Sequence, residues 1–278
     1  MNRLFVASKP MFMGSNQYLG RIKRQYGVKS AGFTGILDPF AKGVLTVGFG
    51  QYTKFFRFLA KTPKRYKAVL WLGCESDTLD IEGVTNVQAL KPFSPERVEA
   101  AVLSIKGKQL QTPPKYSAKK IGGVKAYEIA RTGGEPPLKP VEIEVFDVQF
   151  HHYRHPFVTF EVAVSEGTYV RSLGKSVAAK LYVPGSLSYL ERMAEGRLVY
   201  DGEKPLDPLA FIDAPRNSYR GDPTDLEYGR KLDRSLLEKQ ELGIYVLPWS
   251  DKITMIEITE EKVKYLLNGI QRNTDAPA

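Results

Sequence analysis

The chain has 278 residues, 42% apolar and 26% charged, which fits one large domain or one domain with a small appendage and excludes a disordered chain. No window approaches the ~18 consecutive apolar residues of a membrane helix, the N-terminus has no signal-peptide core, and a single cysteine, Cys74, excludes a disulfide framework or a multi-thiolate metal site. A reducing, cytoplasmic setting without membrane attachment is therefore expected. The net charge is +9 and uneven: residues 1–70 carry thirteen Lys and Arg against one acid, Asp38, a net +12, so the remaining 208 residues sum to −3. A second acid-free stretch, residues 100–127, holds Lys106, Lys108, Lys115, Lys119, Lys120 and Lys125. Such asymmetry favours a polyanion, nucleic acid before anionic membrane; the plainer reading is a lysine-solvated surface.

Residues 4–7 predict a short strand, followed by Lys9-Pro10 and a loop. Ser15 or Asn16 can cap a helix with Tyr18, Leu19, Ile22 and Tyr26 on its apolar side and Gly27 as terminator, leaving Arg21, Lys23 and Arg24 largely on the other side. A Gly-rich loop, residues 32–39, leads to a strand at 44–49 and a helix at 52–59. Strands are predicted at 66–72, 141–150 and 157–164, the last continuing into 167–171. Helices are predicted at 95–105, with Ser94 as cap and Pro95 in first position, and at 126–132 and 172–181. Residues 206–209 start a short helix, and 215–224 is polar and turn-rich. The tail offers a strand-like 244–247 and a helix-like 259–267. This order suggests an α+β fold: a mixed, mainly antiparallel sheet flanked by helices and loops, with a short C-terminal appendage.

Asp38 stands out as the lone carboxylate of the basic segment. Asp-Pro is an ordinary turn pair, but the glycines at 32, 35 and 43 allow close backbone approach, and positive surroundings favour an ionised, nucleophilic carboxylate. Tyr169 and Arg171, read as i and i+2 of a strand, would share one face, where Arg can hold a carboxylate bidentately; plain sheet surfaces carry such pairs too. Tyr66 between Arg65 and Lys67 has the composition of a base-stacking platform, or of a half-buried strand. His151, His152 and His155 read as a polar hairpin loop rather than a metal site, and Cys74 as a small buried apolar residue. Asp77 and Asp80 read as turn or polar contacts rather than a cation site. There is no P-loop, dinucleotide fingerprint or Ser/His/Asp pattern.

Together these pieces resemble the TruB family of tRNA pseudouridine-55 synthases. The stretch Gly35-Ile36-Leu37-Asp38-Pro39-Phe40-Ala41-Lys42-Gly43-Val44-Leu45 looks like its catalytic motif. Further matches follow in order: Ser8-Lys9-Pro10, Thr53-Lys54-Phe55, Lys64-Arg65-Tyr66, Asp77-Thr78-Leu79-Asp80 with Gly83, 113–118, 127–131 and 167–173. The resemblance covers roughly residues 3–210. It implies a pseudouridine-synthase fold over residues 1–215 and a cofactor-free, metal-free isomerisation of uridine 55 in the TΨC arm of tRNA, by a monomer needing no protein partner. By the same resemblance Asp38 would be the nucleophile, at ribose C1′ or base C6. Tyr66 would stack on the flipped base and shuttle a proton at C5, and Arg171 would pair with Asp38. Tyr169 and Leu190 would line the base pocket, and Lys9 and Asp80 would contact substrate. Phe33 stands where the family usually has a histidine that helps to displace the base; it can wedge but not hydrogen-bond. Residues 216–278 would form a truncated or rudimentary PUA-like extension. A non-catalytic tRNA-binding or folding factor would predict drift at Asp38, Tyr66 or Arg171, all of which are intact. A guide-RNA-type rRNA enzyme would need a full PUA domain and partner proteins.

Overall fold

The computed structural model describes residues 1–273. One large sheet carries the fold. β1 (Arg3–Lys9) and β3 (Lys42–Phe49) are buried along nearly their whole length and β2 (Ala31–Phe33) is half-buried, whereas along β4 (Lys64–Leu72) every second residue, Lys64 to Leu72, is buried. The hairpin β5 (Cys74–Ser76) and β6 (Val84–Val87) follows, and after it β7 (Gly107–Gln111) and the small hairpin β8 (Lys120–Ile121) and β9 (Val124–Lys125). The long antiparallel pair β10 (Val141–Arg154) and β11 (Phe157–Val164) and then β12 (Gly185–Glu195) complete the sheet in the order β1-β3-β12-β4-β11-β10-β7, with β2 also on β3.

Every ladder of this sheet is antiparallel except β3 with β12, a short parallel contact pairing Lys42 with Glu191 and Gly43 with Arg192. A strand has only two edges. β1 covers one edge of β3, so β2 and β12 divide the other between them, β2 on residues 47–49 and β12 on residues 42–43. Residues 34–41, which connect β2 to β3, leave the sheet at that fork. Gly43 is required there: its φ is +107°, and a Cβ would lie 2.3 Å from the Arg192 carbonyl oxygen.

Helices cover the core. In α1 (Ser15–Gln25) Ile22 joins Phe5, Leu45, Val47 and Phe49, and each such fully buried side chain contributes about 1.5–3 kcal/mol. Tyr26 ends the helix and Gly27 turns out of it at φ +62°, as expected. Ser94 caps α2 (Pro95–Leu103) by accepting from the Arg97 amide, and α3 (Ala126–Arg131) stands beside the β8–β9 hairpin. α2 and α4 (Val170–Lys180) bury Val98, Val102, Leu173 and Val177 against Leu70, Phe160 and Leu187.

Four expectations are corrected. The helix expected at 52–59 lies two residues earlier, over Gly50–Arg57, and is of the 3-10 type. Residues 167–171 do not extend β11; Gly167, at φ +85°, turns the chain, and α4 starts at Val170. His151 and His152 belong to β10 instead of a loop, with His151 beside Glu161 on the neighbouring strand. The helix expected at 259–267 is the strand β15 (Val263–Gln271), which pairs with β14 (Lys252–Ile258) and, beyond it, β13 (Gly243–Trp249) in a three-stranded antiparallel sheet. The short α5 (Pro223–Tyr228), capped by Asp222, precedes that sheet. Val246, Ile253, Met255 and Ile270 pack into one cluster with Leu4, Val6, Val44, Tyr52 and Phe55.

Candidate active site

The loop 34–41 is tied down from three sides. Ser15 Oγ accepts from the Leu37 amide at 3.0 Å and donates to the Leu37 carbonyl at 2.9 Å. The Lys9 ammonium, fully buried, donates to the carbonyls of Pro10, Met13 and Pro39 at 2.9, 2.7 and 3.3 Å. Arg192, also buried, donates to the Gly35 carbonyl through Nη2 and to the Val44 carbonyl through Nε, both at 2.8 Å. Gly35 sits at φ +62° above the Glu195 carboxylate, too close for any side chain. The loop is thereby fixed with the Asp38 carboxylate about one-third exposed.

Arg171 meets that carboxylate at two points. Its Nη2 donates to Asp38 Oδ1 at 2.9 Å, and Nε lies 2.8 Å from Oδ2, close enough for strong charge attraction though not aligned as a hydrogen bond. The same guanidinium donates to the carbonyls of Thr78 at 2.6 Å and Tyr116 at 3.0 Å, and Asp80 Oδ2 lies 3.4 Å from Nη1. Asp80 is itself held by Thr78 Oγ1 and the Glu82 amide, while burial pushes its carboxyl above the usual range. The start of α4 brings Arg171 here, and Gln111 at the end of β7 fixes that start: it accepts from the Tyr169 amide at 2.8 Å and donates to the Tyr169 carbonyl at 3.2 Å. Tyr169 and Arg171 therefore share the site through a helix start, not a strand face.

Asp38 and Arg171 lie on a cavity of about 310 Å³ whose wall also includes Tyr66, Tyr169 and Leu190. Tyr66 points inward by the alternation of β4, and burial raises its phenol pKa while the neighbouring Arg192 opposes that rise by favouring the ionised form. Five of the eight residues expected from sequence thus converge. The other three do not line the cavity. Phe33 packs against the Phe5, Ile22 and Phe49 cluster, and Lys9 and Asp80 are buried behind the loop and the arginine. Burial also lowers the Lys9 pKa to about 8.

Several supports are not evident from the sequence: Ser15 and Gln111, and the buried cluster of Lys64, Arg192, Glu195 and Thr46. Thr46 Oγ1 donates to Glu195 Oε2 at 2.9 Å, and Lys64 and Arg192 stand 3.8 and 3.4 Å from Glu195 Oε1. Their only sequence trace is a charged or polar residue at an inward strand position, a weak signal.

Residues 23–170 match the family model of the TruB family pseudouridylate synthase, N-terminal domain. The chain is 48% identical over 277 residues to tRNA pseudouridine synthase B of Sulfurovum sp. strain NBC37-1, covering all of both chains. It is 50% identical over 272 residues to the protein of the same name from Sulfurimonas denitrificans, covering 98% of this chain and all of that one. Among solved structures, a Cbf5-Nop10-Gar1 complex superposes with a TM-score of 0.67 at 18% identity over 98% of this chain and 83% of its own, a likeness of fold. With the fold, the Asp38–Arg171 pair and relatives matched along their whole length, the chain belongs to the TruB family of pseudouridylate synthases.

Proposed function

We infer that this protein converts uridine to pseudouridine at position 55 in the TΨC loop of tRNA. The observation that carries the reading is the two-point Asp38–Arg171 pair on the wall of a cavity that also presents Tyr66, Tyr169 and Leu190. A base inside a folded RNA arm must leave its stack to reach such a cavity, at a cost of a few kcal/mol that aromatic stacking partly offsets. In the isomerisation the N1–C1′ bond breaks, the uracil turns, and C5 bonds to C1′; C5 loses its proton and N1 gains one. No electron acceptor or activated co-substrate enters that balance.

Asp38, paired with the guanidinium on the cavity wall, is the nucleophile, and attack at C1′ or at C6 both suit its carboxylate. Tyr66 is the stacking surface and the proton carrier at C5. Tyr169 and Leu190 line the base pocket. Lys9 and Asp80 act from behind: Lys9 holds the loop, and Asp80 orients Arg171. The phosphates are gripped by the basic segments 1–70 and 100–127.

Tritium release from a C5-labelled TΨC stem-loop RNA tests the reading. Asp38→Asn should abolish release while holding RNA affinity within several-fold, because the near-isosteric amide keeps the loop but is a poor nucleophile. Release at near-normal rate would remove Asp38 from the chemistry.

A further inference from the structure

At the rim of the cavity the charges are arranged in a way the isomerisation does not need. Lys64, at the first position of β4, is pinned between the ends of β11 and β12, and only 9% of its side chain is exposed. Glu195 lies behind it at 3.8 Å, and Glu166 lies in front at 3.7 Å. Lys61, three residues earlier and 17% exposed, reaches the same Glu166 oxygen at 3.7 Å. Among the described residues it pairs with no other carboxylate. Glu166 itself is 60% exposed and stands in the turn between β11 and α4, beside Gly167, around whose Cβ position there is open space. Lys64, Glu166, Gly167 and Lys119 all line the cavity wall.

Two desolvated ammonium groups therefore share one solvated carboxylate at the mouth of a cavity that admits a nucleotide. The Glu166 carboxylate, 60% exposed, already keeps much of its hydration and gives up little when it swings into water. The lysines are different. Lys64 is held in place by the strand ends with Glu195 behind it, Lys61 has Glu166 alone among the described residues, and both are partly stripped of water, so the front of the pair needs an anion. A phosphodiester carries the same single charge as Glu166 and offers two non-bridging oxygens, one for each ammonium.

We propose that Lys61 and Lys64 form a phosphate clamp for the RNA backbone beside the target uridine, and that Glu166 occupies this clamp until RNA displaces it. The proposal rests on RNA being the substrate. Glu166 then serves two ends. It keeps the lysines apart and oriented in the free protein, and it penalises any ligand that cannot present a phosphate in the right place as its base enters the cavity. The exchange is an ionic one, with no bond made or broken.

The test uses full-length protein and a synthetic TΨC stem-loop in which single phosphates flanking the target uridine are replaced by neutral methylphosphonates. Binding is measured in an Asp38→Asn background, so that the RNA is not turned over. One position should weaken binding several-fold with Lys61 present and clearly less in Lys61→Met, because one of that phosphate's two partners is already gone. Glu166→Gln should bind the unmodified RNA several-fold more tightly, because no resident carboxylate then has to be displaced from the clamp. Methylphosphonate penalties that are the same with and without Lys61 at every position would overturn the clamp. So would a Glu166→Gln protein that binds no tighter. Failure of the unsubstituted protein to make pseudouridine in the same RNA would instead remove the function inferred above, and the two failures are separate measurements.

Discussion

The side chain on which most depends is Arg171, because one guanidinium serves Asp38, Thr78, Tyr116 and Asp80 at once. A lysine in its place has a point charge and cannot span both Asp38 oxygens and two carbonyls. Hydrogen bonds to a charged group contribute about 1.5–3 kcal/mol each, so losing even one that acts in the transition state should lower kcat of Arg171→Lys roughly tenfold to a hundredfold. Single-turnover rates on a stem-loop RNA check this, and full activity would leave the ion pair without a catalytic role. Lys9 gives a prediction of a different kind. Burial lowers its pKa from 10.5 to about 8, so below pH 8 both folded and unfolded chains carry the charge and the folded one bears the desolvation cost in full. Between pH 8 and 10.5 the unfolded chain binds more protons, and folding stability contributed at this site rises with pH. Urea denaturation of the unsubstituted protein and of Lys9→Met, compared from about pH 7 to about pH 9.5, should show the difference moving in favour of the unsubstituted protein as pH increases. A flat difference would mean that the carbonyls of Pro10, Met13 and Pro39 hold the ammonium charged in spite of burial.

At the scale of elements, the fork where β2 and β12 divide one edge of β3 is what releases the Asp38 loop from the sheet. Gly43 makes that approach possible, and Gly43→Ala would press a Cβ into the Arg192 backbone from a φ that alanine rarely adopts. About 2–4 kcal/mol of destabilisation is expected, read as a fall of several degrees in Tm, whereas Gly14→Ala, with nothing within 4 Å of its Cβ and an ordinary φ of −66°, should change little. Equal effects at the two positions would show that the close crossing of β3 and β12 is not rigid. Much of this level is legible in the sequence. Alternation along residues 66–72 and the β-branched and aromatic run at 157–164 mark real strands, and Ser94-Pro95 and Gly27 mark real helix ends, because local sterics and capping decide those features. What is not legible depends on distant partners. Residues 259–267 have a helix-like spacing, yet pairing with β14 makes residues 263–267 strand. Strand spacing puts Tyr169 on the site for the wrong reason, since nothing near it in sequence reveals that Gln111 fixes the start of α4. Lys9 carries a motif, but only the fold shows it facing inward to three carbonyls.

For the molecule as a whole, the question is where RNA is gripped. The tail sheet shares its apolar cluster with β1, β3 and the 3-10 helix, Arg272 pairs with Asp207 at 2.6 Å, and the Asn273 amide donates to Tyr52 at 2.8 Å. Removing residues beyond 240 would therefore uncover Leu4, Val6 and Val44, so truncation cannot separate binding from folding. Surface charge changes can. Arg21 and Arg24 are exposed on α1 within the basic N-terminal segment; in the tail, Lys262 is exposed and Lys264 is paired with Glu257. Among the described residues beyond 240, Glu241, Asp251, Glu257, Glu260 and Glu261 stand against Lys252, Lys262, Lys264 and Arg272, while Asp275 lies outside the described residues. If the phosphates lie along the catalytic half, Arg21→Ala with Arg24→Ala should flatten the dependence of log affinity on log salt. The expected change is about 0.7–0.9 for each phosphate no longer neutralised, up to two phosphates for the pair. Lys262→Ala with Lys264→Ala should leave the slope within error, because neutralising charges that face no phosphate releases no counterions. Both pairs lie on the surface and leave the shared cluster intact, so a change in slope reports phosphate binding rather than unfolding. Binding isotherms at about four salt concentrations on whole tRNA and on the stem-loop are sufficient. The reverse pattern, a flattened slope in the tail variant and an unchanged one in the α1 variant, would place the main RNA grip on β13–β15 and make the tail sheet the binding surface rather than a brace for the catalytic core.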